Sequence, residues 1–172
     1  MSKRKHHGSR PPTFARQVRR FRTGARNALT WMRKGRLGAP YQAPFDVVLG
    51  NDNYQLRRYF RADEQGTVGD PVLLIPPLMV TSEIYDISPE LSSVSFLTSQ
   101  GLDVWLTDFG RPELTDGGME RTLDDHLLAV DNAIDEISAR TGKNVHLLGY
   151  SQGGMFAYQV AAYRKSKKIA SV

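Results

Sequence analysis

The sequence predicts an α/β fold: a largely parallel sheet with helices on both faces and an antiparallel hairpin at one edge. Three observations carry this. Short apolar runs recur at Val72-Leu73-Leu74-Ile75, Asp103-Val104-Trp105-Leu106-Thr107 and Asn144-Val145-His146-Leu147-Leu148, as in strands buried on both faces. Segments of helical periodicity separate and follow them. Ahead of them, Phe45-Asp46-Val47-Val48-Leu49 and Tyr54-Gln55-Leu56-Arg57-Arg58-Tyr59-Phe60 read as two strands, joined by the turn chemistry of Gly50-Asn51-Asp52-Asn53.

Residues 1–12, short, basic and Pro/Gly-bearing, are expected to be a disordered tail. Residues 13–40 read as a basic amphipathic helix and linker. Phe14, Val18, Phe21, Ala25, Leu29 and Met32 recur at helical spacing, and Arg16, Arg19, Arg20, Arg26 and Arg33 fall mostly off that face. Two roles stay open for it: lying on an anionic lipid or membrane surface through residues 13–34, or packing its apolar face on the body while the arginines stay solvated.

Residues 41–172 form the α/β body. Pro76-Pro77 ends the first apolar run, because proline cannot continue a ladder in mid-sheet. A helix is expected from Pro89, capped by Ser88, with Leu91, Val94, Phe96 and Leu97 as its inner face and Gly101 at its end. A longer helix begins near Thr122, turns Leu123, Leu127, Val130, Ile134 and Ile137 inward, and closes near Thr141-Gly142. Asp124 and Asp125 read as its first-turn acids. A last helix spans Gln152 to Arg164, and residues 167–172 read as the start of another strand.

Composition narrows the function. The chain has no cysteine, which excludes disulfides, thiolate metal sites and a cysteine nucleophile. No metal site or cofactor is expected. Twelve of its 23 basic residues lie in the first 45 positions, which hold none of its 18 acidic residues. The net charge of +5 therefore belongs to an N-terminal segment on a mildly acidic body, and nucleic-acid binding by the fold is not expected. No run reaches the roughly 18 apolar residues of a spanning helix, and no apolar stretch follows the basic N-terminus as in a secretory signal. The expected location is cytoplasmic, with a peripheral association with membrane or lipid particles if the N-terminal helix binds them.

The chemistry concentrates at Gly149-Tyr150-Ser151-Gln152-Gly153-Gly154. A G-x-S-x-G sequence between a buried strand and a helix is a nucleophile elbow: a tight turn that lifts the serine hydroxyl above the carboxyl edge of the sheet. Ser151 is the candidate nucleophile. Gly149 and Gly153 would permit the close strand–helix approach, and Gly154 would extend that permissiveness. The backbone N–H of Gln152 is the first candidate oxyanion donor. A second would come from the loop after residues 72–75, where Pro76 and Pro77 have no N–H and leave Leu78 and Met79 as the first donors.

In these residues the chain resembles the poly(3-hydroxyalkanoate) synthase branch of the α/β-hydrolases. The similarity runs from about Val72 to Tyr163. It rests on Leu74-Ile75-Pro76-Pro77-Leu78, on Tyr85-Asp86-Ile87-Ser88-Pro89-Glu90, and on the stretch Gln100-Gly101-Leu102-Asp103-Val104-Trp105-Leu106-Thr107-Asp108-Phe109-Gly110. Thr122-Leu123-Asp124-Asp125 and the elbow complete it. The synthases carry cysteine at the nucleophile, where this chain has Ser151. The resemblance therefore implies a serine relative, lipase- or esterase-like, acting on fatty-acyl or hydroxyacyl esters or on coenzyme A thioesters. Serine-bearing domains of this kind are also joined to acyl-coenzyme A synthetases, which implies fatty-acyl metabolism.

The resemblance also implies the N-terminal half of an α/β-hydrolase fold, truncated after the elbow helix. In that fold the catalytic acid and histidine follow the nucleophile in the chain, so both are expected beyond Val172, in a continuation or another chain. His126, read as lying on the polar side of its helix, and His146, read as pointing into a sheet–helix layer, are weak substitutes for the base. Asp108 is expected to bind a loop backbone or line the pocket. Two functions remain open: a nucleophile-bearing piece of a serine acyl hydrolase or acyltransferase, inactive alone, or a non-enzymatic lipid-surface or protein-binding module on a partial hydrolase fold.

Overall fold

The computed structural model describes residues 22, 24–29, 32–33, 42–60, 69–78 and 80–172. Two compact units are distinguished, Met1–Ala39 and Pro40–Val172. In the first, residues 24–29 and 32–33 are helical, inside the amphipathic stretch expected over 13–34. The 1–12 tail, and Phe14, Val18, Phe21 and Trp31 of that stretch, lie outside the described residues.

The second unit is a six-stranded mixed sheet of order β1-β2-β4-β3-β5-β6. The edge hairpin β1 (Phe45–Gly50) and β2 (Gln55–Tyr59) is antiparallel, and β2 meets β4 (Asp103–Asp108) antiparallel as well. From β4 onward the ladder is parallel, through β3 (Pro71–Ile75), β5 (Val145–Gly149) and β6 (Ile169–Ser171). Three α-helices follow strands: α1 (Ser93–Ser99), α2 (Leu123–Thr141) and α3 (Gln152–Arg164).

Strand alternation divides the core between the two faces. Leu73, Ile75, Trp105, Val145 and Leu147 pack with Val130, Ile134 and Ile137 of α2 and with Phe156 and Val160 of α3. Val72, Leu74, Val104 and Leu106 pack instead with Val94 of α1, Tyr59 and Tyr85. β3 and β4 are buried along their whole length, which is why they read as unbroken apolar runs. β5 differs from the fully buried strand expected: Leu148 is 41% exposed on the second face, where packing stops at β3.

The helix expected from Pro89 is two elements. Pro89–Leu91 is a single 3-10 turn, and α1 begins after Ser92, whose hydroxyl accepts the Ser95 N–H. Ser92, not Ser88, is therefore the cap. Leu91 and Phe96, assigned inward by periodicity, are 67% and 62% exposed, and only Val94 of that set is fully buried. At the break Ser92 also donates to the buried Asp86 carboxylate, six residues back, at 2.6 Å, a bond that competes with a continuous helix through it.

α2 begins as expected, with a reciprocal box between Thr122 and Asp125. It ends on Gly142 in the left-handed region. It is tied to α3 by Arg164, which donates to Asp131 and Asp135, while Lys168 also reaches Asp135.

Candidate active site

The turn between β5 and α3 has the geometry of a nucleophile elbow. Ser151 holds φ 56° and ψ −118°, a conformation L residues rarely adopt. Its surroundings enforce it. The Tyr150 N–H donates to the Ile75 carbonyl at 3.2 Å, the Gly153 N–H to Tyr150 O at 2.9 Å, and the Gly154 N–H to Ser151 O at 3.0 Å. Strain of this kind costs on the order of 1–3 kcal/mol and persists only where neighbours over-determine it. Ser151 is exposed, and its hydroxyl makes no hydrogen bond among the described residues.

Two of the three glycines are there for space. A Cβ on Gly153 would stand 1.9 Å from the Ile75 carbonyl oxygen, and one on Gly149 would stand 2.4 Å from that of Gly153. Each contact is with backbone, which cannot swing away. Gly154 is different. A Cβ there would meet Gly149 O at 3.4 Å, so the close approach does not depend on it.

The loop after β3 comes to the same edge. Ile75 pairs with Gly149, the last rung before both chains leave the sheet. Gln152 is the first residue of α3, so its N–H has no preceding helical turn to bond to. Leu78 is placed at the elbow too, but its N–H donates to Oε1 of Gln152 at 3.1 Å. Of the two amides expected there, that of Leu78 is engaged by this side chain. Met79 lies outside the described residues.

Below the elbow sits Tyr85, on a 3-10 turn over Ser82–Tyr85. Its hydroxyl lies 3.1 Å from Ile75 O and 3.2 Å from Leu148 O, shared between the ends of β3 and β5. Burial pushes its phenol up to about 12. The next residue, Asp86, is buried and accepts the Ala43 N–H and the Ser92 hydroxyl, both at 2.6 Å. Sequence alone gives Tyr85 no functional role. The available signal was a tyrosine shortly after the proline loop, since a buried phenol needs a polar partner.

The histidines do not complete the site. His126 is not on the polar side of α2 but buried, between the rings of Phe109 and Phe156 at centroid distances of 5.2 and 6.0 Å. Its Nδ1–H donates to the Thr122 carbonyl at 2.6 Å, and Nε2 is buried without a partner. The helical stripe misplaced it because the first turn of α2 is covered by the loop after β4, which periodicity does not see. His146 is half-buried on the second face of the sheet and pairs with the Ser171 hydroxyl through Nδ1 at 2.8 Å. Neither histidine bonds Ser151.

Asp108 closes β4 and accepts the Gly110 N–H at 3.1 Å and the Arg57 guanidinium. It binds a loop backbone, as expected. Arg58, the neighbour of Arg57, points to the other face and forks onto Asp103 at 2.9 and 3.1 Å. The sequence held half of this signal, since adjacent arginines in a strand face opposite ways; that β4 lies beside them with an acid at each end comes from the sheet order. Among the described residues there is no cluster of three or more His, Asp or Glu arranged to hold a metal ion, and no helix is long and apolar enough to cross a membrane.

A strand, a strained serine turn and a helix at the carboxyl edge of a parallel sheet define a protein of the α/β-hydrolase class. Comparison with solved structures agrees on the fold: mature lipase BlEst2 of Bacillus licheniformis superposes with a TM-score of 0.51 at 16% identity, over 70% of this chain and 45% of that one. In sequence, the chain is 34% identical over 124 residues to the poly(3-hydroxyalkanoate) polymerase subunit PhaC of Haloferax mediterranei, covering 70% of this chain and 24% of that one. The subunit of the same name from Allochromatium vinosum is 32% identical over 130 residues, 73% of this chain and 36% of its own. No family model matches. The chain belongs to the α/β-hydrolase superfamily, in its poly(3-hydroxyalkanoate) synthase-like branch. It spans about a quarter to a third of the length of the curated relatives it matches.

Proposed function

We propose that this chain carries the nucleophile of a serine acyl hydrolase or acyltransferase, with Ser151 attacking a fatty-acyl or hydroxyacyl ester or a coenzyme A thioester. The observation that supports it most is the strained backbone of Ser151, at φ 56° with a free, exposed hydroxyl. The two glycines allow the close approach that the turn requires, and a turn that lifts a hydroxyl above the sheet edge serves attack on a carbonyl.

In this reading Ser151 Oγ forms the bond to the acyl carbon, and the Gln152 N–H receives the developing oxyanion. The alcohol or thiol leaves, and water or an acceptor hydroxyl then takes the acyl group. The proton of Ser151 needs a base that the described residues do not bring to it. His126 is enclosed by aromatic rings and His146 is on a sheet face. The acid and base are therefore proposed to come from a segment beyond these residues, continuous with the chain or separate. By itself the chain would turn over ester slowly, retaining only the small acceleration that an oxyanion site without a base supplies.

A p-nitrophenyl ester series of increasing acyl length, with acyl-coenzyme A thioesters alongside, tests this on the full chain. Near-background turnover with slow, Ser151-dependent labelling by a fluorophosphonate is the expected result. Labelling that persists in Ser151→Ala would overturn the nucleophile assignment. Robust turnover would overturn the need for an outside base. Binding of residues 13–34 to anionic vesicles, with no Ser151 labelling, would favour the lipid-surface module instead.

A further inference from the structure

Gln152 enters the site twice. Its backbone N–H opens α3 beside Ser151, and its side chain crosses to the loop leaving β3, where Oε1 accepts the Leu78 N–H at 3.1 Å. The bond joins residues 74 positions apart. It also holds something the sheet cannot. The β3–β5 ladder ends at Ile75 and Gly149, and Pro76 and Pro77 have no N–H with which to extend it. Beyond Ile75, the Gln152 carboxamide is the first side chain of the elbow to take hold of this loop.

Resting on the nucleophilic role proposed for Ser151, we infer that the Gln152 side chain is a positioning residue, a latch that holds the Pro76–Leu78 segment against the elbow. The wall of the oxyanion site is thereby tied to the same residue that supplies the site's backbone donor. The design suits the chemistry, because donors that stabilise an oxyanion must be in place before the charge develops. An ångström of misplacement in such a site costs up to about a hundredfold in rate. A neutral carboxamide takes the Leu78 N–H without placing a negative charge beside the developing one.

The side chain can be altered without touching the backbone N–H, which makes the test clean. The full chain is compared with Gln152→Leu, which has similar volume and no acceptor, and with Gln152→Glu, which keeps an acceptor oxygen. Gln152→Ala is a second deletion should the leucine disturb packing. The first readout is amide hydrogen exchange at Leu78, resolved by NMR. Exchange about tenfold faster in Gln152→Leu and near wild type in Gln152→Glu is expected. The Gly153 amide, held by Tyr150 O, should not change. Unaltered exchange at Leu78 in both deletions overturns the latch.

The second readout is the rate of fluorophosphonate labelling at Ser151. It should fall about tenfold in Gln152→Leu and recover at least in part in Gln152→Glu, with thermal midpoints alike. A merely structural side chain would move the midpoint and not the rate. Faster labelling in Gln152→Leu also overturns the proposal, since the carboxamide would then be blocking the Leu78 donor. A wild-type chain that does not label at all removes the nucleophile reading, and the Leu78 exchange then decides the latch alone.

Discussion

The Tyr85 hydroxyl lies 3.1 Å from the carbonyl oxygen of Ile75, beneath the turn that carries Ser151. The same carbonyl takes the Tyr150 N–H at 3.2 Å and bounds the space that Gly153 leaves empty. One backbone oxygen at the end of β3 is thus where the phenol, the turn and the elbow helix converge.

Tyr85→Phe keeps the ring and removes the donor. It is expected to destabilise the fold by about 1–2 kcal/mol, read from the midpoint of urea unfolding. The phenol also gives a pH signature. Its folded value, about 12, is above the ordinary 10.0, so the associated stability is present below pH 10 and lost as pH rises toward 12. The difference between wild type and Tyr85→Phe should narrow over that window. A constant difference across it would show that the ring environment, not the hydroxyl, sets the effect.

Ser151→Gly should separate stability from chemistry. Glycine adopts φ 56° without a Cβ penalty, so relief of the turn is expected to raise stability by about 1 kcal/mol. Ser151→Ala keeps the Cβ and should show no such gain. Both variants should lose fluorophosphonate labelling. Equal melting of the two would mean that the turn holds no strain.

Gly153→Ala and Gly154→Ala are adjacent and should behave oppositely. At Gly153 the new methyl would be 1.9 Å from Ile75 O, so the elbow must open; a loss of more than about 3 kcal/mol, or no folded protein, is expected. At Gly154 the nearest atom is 3.4 Å away, and alanine's helix propensity should make the change neutral or stabilising by up to about 1 kcal/mol. Circular dichroism melts of the pair check this.

The link between α2 and α3 predicts an acid response. Arg164, then Lys168, hold the Asp135 carboxyl down at about 2 through direct hydrogen bonds. A lowered carboxyl value means that its contribution is present above the ordinary value near 4 and is lost as pH falls through 2. Asp135 is half exposed, so screening leaves only about 0.5 kcal/mol for Asp135→Asn at neutral pH. Arg164→Met, which removes the buried partner of two carboxylates, should cost about 2 kcal/mol. Denaturant midpoints between pH 2 and 7 should show the Asp135→Asn difference shrinking toward the acid end.

Much of the fold was legible because its signals are local or periodic. β3 and β4 are apolar on both faces, so their runs are continuous. α2 announces both its ends, with Thr122 and Asp125 reciprocating at one and Gly142 at the other. The elbow was legible for another reason: glycine on either side of a serine, between a strand and a helix, answers a demand for space that no other residue meets.

Where structure and periodicity part, a contact outside the helix's own repeat decides. The helix expected from Pro89 breaks at Ser92, where Asp86 holds that hydroxyl, and no helical pattern encodes a bond to a buried carboxylate. His126 was assigned to a polar face because periodicity counts only its own helix, while Phe109 and Phe156 come from elsewhere.

By itself, the sequence determined that a parallel sheet presents Ser151 on a turn of obligatory glycines, since steric demand and burial are written residue by residue. Only the tertiary structure decided how that turn is held. Tyr85 reaches the ends of β3 and β5, and the Gln152 side chain takes the N–H of Leu78, one of the two amides expected near the oxyanion. The physical reason is common to both. A hydrogen bond is satisfied by whichever partner the fold brings within about 3 Å, and that distance is a property of the packed chain rather than of either residue.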